Sequence, residues 1–238
     1  MNRNTRLMQM FQAVMVLAAI ASTVYAGVAS HAVHPALAAA VLALAAATSR
    51  MKIKLPGFDS NMSVNLPFLL MAVVNLSAVE AVLIACVSAM VQSWPKPGSK
   101  VRAEQMLFNV SMMAFATSVA NLVWHAAWLG KAAWASQPLM LASATAAFFL
   151  GQTAPVAGII KLAEGAAMRR VWLGIAQLSF PYYVLSAAIA SMVNLVSHHS
   201  GRQAALVVFP VMYGVHRSYQ LYFGRTAEAL HKAASAEV

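Results

Sequence analysis

Seven histidines, six carboxylates and one thiol are the groups in this 238-residue chain best suited to binding a metal or moving a proton near neutral pH. Five of the histidines, His31, His34, His125, His198 and His199, lie at the ends of apolar runs that lead to one side of the molecule. Neutral imidazole ligates zinc or copper and titrates near pH ~6.5, so a metal site or a proton sensor is one reading of this group. His31 and His34 are three apart, a spacing that sets two side chains on one helical face. The other reading is that histidine is simply tolerated at a wet interface. The carboxylates Asp59, Glu80, Glu104, Glu164, Glu228 and Glu237 fall in loops or near helix ends, and no two are placed for paired acid–base work. Cys86 sits inside an apolar run, where a lone cysteine behaves as a small apolar residue. There is no phosphate-binding glycine loop and no nucleophile elbow, so neither enzymatic activity nor a cofactor is expected.

Amides inside apolar runs form a second group: Asn75, Asn109, Asn121, Gln152, Gln177 and Asn194, with Thr153 beside Gln152. In lipid such groups must pair across helices, which makes inter-helix hydrogen bonding their ordinary role. Gln152-Thr153 lies two residues before Pro155, whose ring frees backbone carbonyls and so favours a cavity. Asn75, Asn109, Gln152 and Thr153 are therefore the candidates for lining a ligand. Glu80 reads as a helix cap. Tyr182-Tyr183, just after Pro181, reads as packing.

The elements that must position these groups are membrane helices. The chain is 61% hydrophobic and 9% charged, whereas a soluble domain carries about 25% charged residues. Apolar runs predict helices at about 5–29, 35–49, 63–76, 78–94, 103–129, 138–168, 171–197 and from about 203 to 222. The run from Ser63 to Trp94 is split because Ser77-Ala-Val-Glu80 matches a capping box, giving a short hairpin at 63–94. Residues 50–61 read as a non-helical loop from Pro56 and Gly57. Pro155 and Pro181 fall inside helices. Eight crossings leave only Lys131 and Arg202 of the sixteen Lys and Arg residues on one side, which predicts that both termini are cytoplasmic. The net charge of +10 thus reports cytoplasmic loops facing anionic lipid, not nucleic-acid binding. One domain, residues 1–224, is followed by a short cytoplasmic helical tail, 225–238.

Several stretches resemble, in order, the MASE-like multi-pass sensor domains that precede GGDEF or HD-GYP domains in bacteria. They are Arg50-Met-Lys-Ile-Lys-Leu-Pro-Gly57 with Ser63-Val-Asn-Leu-Pro-Phe68, and Phe148-Phe-Leu-Gly-Gln-Thr153, where Gln152 stands in place of an Asn. Val171-Trp172, Phe180-Pro-Tyr-Tyr183, Phe209-Pro210 and Arg217-Ser-Tyr-Gln-Leu-Tyr-Phe-Gly-Arg225 continue the series. The resemblance covers about residues 45–230. It implies a sensory module of the inner membrane whose last helix runs into a cytoplasmic signalling helix, with Arg217, Tyr219, Tyr222 and Arg225 as relay residues. The output domain of such relatives starts soon after the last helix, and none follows here, so no cyclic-dinucleotide chemistry carries over. The expected partners are the lipid bilayer and either a second copy or a separate signalling protein. The loop and short helices at 50–94 are also similar to the substrate-binding subunits of vitamin uptake transporters, which makes an uptake component the alternative. A third reading is an accessory subunit of a membrane complex.

Overall fold

The computed structural model describes residues 3–28, 33–54, 61–95, 102–126 and 136–200, together with Pro210, Tyr213, Gly214, Arg217, Ser218 and Leu221. Seven helices are present among them. They are α1 (Arg3–Val28), α2 (Pro35–Ser49), α3 (Leu66–Asn75), α4 (Ala78–Ser93), α5 (Ala103–Trp124), α6 (Gln137–Glu164) and α7 (Met168–Ser200). The six isolated residues between 210 and 221 are helical and exposed. The expected eighth helix otherwise lies outside the described residues.

Among the described residues four helices are long and apolar enough to cross a membrane: Thr5–Val28, Ala103–Trp124, Gln137–Glu164 and Met168–Asn194. Large apolar side chains cover the outside of the bundle, among them Met10, Val14 and Leu17 on α1, Leu83 on α4, Leu150 on α6 and Met192 on α7. This is a helical membrane bundle, with lipid rather than water as the solvent of that surface. Because lipid tails are as apolar as leucine, close packing and hydrogen bonds between helices must hold it together.

Contacts along the helices fix their directions. Gln12 reaches the Glu104 carbonyl and Thr23 meets Ser118, so α1 and α5 run parallel. Asn109 bonds Ser93, and the far end of α1, at Gly27, abuts Val79, so α4 runs against both. Gly151 packs on Ala116 and Gly158 on Phe11, which sets α6 antiparallel to α5. Trp172 meets Thr153, and Phe180 meets Phe149, which sets α7 antiparallel to α6. The start of α2 lies by Glu80 and its end by Asn65, so α2 runs against α3. Direction therefore alternates along the chain. The alternation gathers Arg6, Arg50, Arg102, Lys161, Arg169 and Arg170 at one end of the bundle and sets His34 and His125 at the other.

The helix ends follow local chemistry. The split within 63–94 is real: Leu76 and Ser77 are extended, with ψ of 164° and 155°, and Ser77 and Glu80 make both arms of a capping box. α6 stops at Glu164, short of the expected 168, because Gly165 adopts a left-handed conformation at φ 70°. Residues 50–63 depart from the expected loop and from a purely helical fold. Lys52–Lys54 and Asn61–Ser63 form an antiparallel ribbon, with Ile53 opposite Met62. β-branched Ile53 suits the strand.

α3 is the centre of the bundle. Its first eight residues, Leu66 to Val73, are all buried. A helix with one lipid face would leave part of this run exposed. Instead α2, α4, α5 and α7 pack around it.

Candidate functional site

One set of linked polar side chains lies between α6 and α7, near Pro155 and Pro181. The Tyr183 hydroxyl donates to Gln152 Oε1. Gln152 Nε2 in turn donates to the Met113 sulfur on α5 at 3.0 Å. One residue on, the Trp172 indole donates to Thr153 Oγ1 at 3.1 Å, and that hydroxyl donates to the Phe149 carbonyl at 2.7 Å. The Phe149 ring stands edge-on to Tyr183, with centroids 4.9 Å apart and planes at 83°. These bonds satisfy both side chains of the Gln152-Thr153 pair, as a low-dielectric interior requires. They also tie α5, α6 and α7 into one unit.

Tyr182, one residue before, points the other way. Its hydroxyl accepts the Leu66 backbone N–H at 3.2 Å. That amide belongs to the first turn of α3, which has no helical acceptor of its own. No side chain of Asn65, the residue before it, caps this helix. Asn65 is occupied elsewhere: it accepts from Ser63 at 2.7 Å and donates to Ser49 at 3.1 Å, closing the ribbon against the end of α2. At the opposite end of α3, Asn121 donates to the Val73 carbonyl at 3.2 Å. The central helix is thus pinned at one end by α7 and at the other by α5.

Glu80 holds the break between α3 and α4. Its Oε2 accepts from the Ser77 N–H at 3.0 Å and the Ser77 hydroxyl at 2.7 Å, while Oε1 accepts from the His34 N–H at 2.8 Å. A single carboxylate therefore caps its own helix and fastens the entry of α2 beside it. A carboxylate at the first turn also suits the positive end of the helix dipole.

The four candidate ligand-lining residues do not share one place. Gln152 and Thr153 are together in the α6–α7 network. Asn75 is exposed and bonds its own Met71 carbonyl. Asn109 bonds Ser93 at 3.0 Å near the basic end. Of the five histidines, His34 and His125 have described side chains. The two lie on α2 and α5 at the same end of the bundle, and His125 Nδ1 is 3.0 Å from the Asn121 carbonyl. His198 and His199 belong to the last turn of α7, at that end too. His31 lies outside the described residues. Among the described residues no three metal-binding side chains stand together. Of the relay residues, Arg217 is helical and exposed, and Tyr219, Tyr222 and Arg225 lie outside the described residues.

Tyr182 and Tyr183 read as packing residues in the sequence, yet with Trp172 they make hydrogen bonds that bind α7 to α3 and α6. A signal was present: a buried tyrosine or tryptophan needs a partner for its polar atom. Two adjacent tyrosines on a helix point about 100° apart, which allows two different partners.

No curated protein and no solved structure matches this chain. A family model does, that of MASE9, over residues 14–222. A bundle of alternating membrane helices, with basic residues at one end and a polar junction between its last two long helices, therefore belongs to the MASE9 family of membrane-associated sensory domains.

Proposed function

We propose that this sensory domain acts without catalysis, as a receptor-like module that passes a change in the bundle to its last helix and from there to a partner. The observation that carries the reading is the pair Tyr182 and Tyr183. They couple α7, the helix that leads into residues 201–222, to the central helix α3 and to Gln152 on α6. A shift of α3 or α6 would be felt at the middle of α7 rather than absorbed by loops. In this reading the chain crosses a bacterial inner membrane eight times with both termini in the cytoplasm. What supports that orientation is the gathering of Arg6, Arg50, Arg102, Lys161, Arg169 and Arg170 at one end. Arg217, Tyr219, Tyr222 and Arg225 would then continue toward the cytoplasm and meet the partner, a second copy or a separate signalling protein.

The test is recovery of partners from native membranes in mild detergent, with the intact chain and with a variant carrying Tyr182→Phe and Tyr183→Phe. Capture of a signalling protein or a self-dimer that the variant holds differently is the expected result. Capture of a transport ATPase with its coupling subunit would overturn the sensor reading in favour of uptake.

A further inference from the structure

The lipid-facing side of α7 is interrupted by a glutamine. Buried residues recur along this helix at Val171, Ile175, Ser179 and Tyr182, the side that meets its neighbours. Gln177 is two residues from Ile175 and two from Ser179, about 160° around the helix from both, and it is exposed. Leu173, Phe180 and Val184 on the same side are exposed too, at 39%, 57% and 52%. So is Leu150 on α6, next to the Phe149 ring that meets Phe180. Such a surface faces lipid rather than a wet rim. Gln177 lies seven residues beyond Arg170, about 10 Å along the helix axis, which sets it inside a hydrocarbon layer about 30 Å thick. Other amides of the bundle are committed: Gln12 to the Glu104 carbonyl, Asn109 to Ser93, Asn121 to the Val73 carbonyl, and Gln152 to Met113. No described residue bonds Gln177. A carboxamide at that depth calls for a hydrogen-bonding partner from outside the bundle.

The occupant follows from depth and symmetry. Copies of one chain enter a membrane in one orientation, so a two-fold axis along the membrane normal sets Gln177 of both copies at the same depth. A carboxamide both donates and accepts, so the two can exchange N–H···O bonds with no second kind of group required. Leu173, Gln177, Phe180 and Val184 are spaced by four, three and four residues, the repeat of a seam between two paired helices. A single polar residue in such a seam fixes register and partner number, and Gln177 occupies that place. Lipid chains offer neither donor nor acceptor. In the chain's own last segment the described residues Tyr213, Gly214, Ser218 and Leu221 are exposed, and a methyl added at Gly214 would meet nothing within 4 Å, so these residues are not seated on this face. We propose that α7 pairs with α7 of a second copy along this stripe, the two Gln177 side chains bonded to each other within the membrane. The pairing names the second copy as the partner in the sensory reading. It rests on that reading only for what pairing accomplishes, since association can be measured with no signal present.

The experiment is sedimentation equilibrium of the purified full chain in density-matched micelles. A monomer–dimer equilibrium is expected. Its dissociation constant should rise about fivefold or more in Gln177→Leu, and about threefold or less in Gln177→Asn, which keeps the carboxamide. At a concentration where both are monomers, Gln177→Leu should keep the parent's melting midpoint. In native membranes, with Cys86→Ala as background, oxidation should join copies carrying Leu173→Cys or Val184→Cys. Copies carrying Leu17→Cys on α1 or Leu83→Cys on α4, both exposed positions, should stay unjoined. A monomer at every concentration, a dimer indifferent to Gln177→Leu, or equal cross-linking at the α1 and α4 positions would overturn the proposal. So would a disulfide within one chain between Val184→Cys and Ser218→Cys, which would give the face to the chain's own last segment. Loss of pairing in Gln177→Leu, with Tyr182→Phe and Tyr183→Phe leaving partner capture unchanged, would refute the relay and leave this contact standing.

Discussion

Three glycines at helix contacts offer a graded test of how the bundle is packed. At Gly151 an added methyl would sit 3.0 Å from the Ala116 Cα and 3.2 Å from its Cβ, both fixed to the backbone of α5. Nothing there can rotate away, so α6 must move off α5 by several tenths of an ångström. At Gly158 the methyl would also meet an atom at 3.0 Å, but that atom is Cζ of Phe11, the far end of a flexible side chain. The ring can swing, at the expense of its contact with Phe108, whose centroid lies 6.2 Å away. At Gly27 the nearest atom is a Val79 methyl at 3.3 Å, and a small adjustment suffices. Overpacking a rigid interior costs about 1–3 kcal/mol, and replacing a mid-helix glycine by alanine returns about 0.5–1 kcal/mol of helix stability. Gly151→Ala should therefore lose about 2 kcal/mol, Gly158→Ala about 1 kcal/mol or less, and Gly27→Ala close to nothing. Reversible unfolding in mixed SDS and maltoside micelles measures all three. Equal losses at the three positions, or a larger loss at Gly158 than at Gly151, would show that the α5–α6 contact is not the rigid one.

Other substitutions probe single hydrogen bonds. Tyr182→Phe strands the buried Leu66 amide and should cost about 1–3 kcal/mol in the same unfolding assay; a neutral result would mean α3 is not held from α7. Asn121→Leu frees the Val73 carbonyl and removes one inter-helix bond, for a loss of about 0.6–2 kcal/mol, and no loss would leave the opposite pin without weight. Glu80→Ala removes the acceptor shared by His34 and Ser77 and should cost about 1–2 kcal/mol. Hydrogen exchange at those two amides should quicken together, and a change at Ser77 alone would show that the carboxylate does not fasten α2.

The bundle was legible where composition and capping act locally. α2 begins at Pro35 and ends at Ser49 as its apolar run predicts, and the Ser77–Glu80 capping box marks the division of α3 from α4 from four residues of sequence. The ribbon was not legible, because Ile53 and Met62 are nine positions apart and a pairing of three-residue strands leaves little periodic signal. The polar junction was half legible. Gln152 and Thr153 stood out as amide and hydroxyl in an apolar run, but their partners Tyr183 and Trp172 lie 31 and 19 residues away on another helix. Which face of α7 meets α6 depends on how the two helices cross, and no local pattern encodes that. Asn75 and Asn109 looked similar to Gln152 in sequence and differ only in what the fold brings beside them.

The central helix has a consequence for how the protein is made. At 10 residues α3 is about 15 Å long, half the hydrocarbon thickness, and its own length does not let it settle in the bilayer alone. The acceptor for its first amide, Tyr182, is 116 residues further along the chain. During synthesis α3 must therefore wait, partnered by α2 and α4 or held at the membrane surface, until α7 has emerged. Its final seating closes assembly rather than opening it. A ribosome stalled before residue 182 should hold α3 still reachable by a water-soluble thiol reagent at a cysteine introduced there, and release of the full chain should protect it.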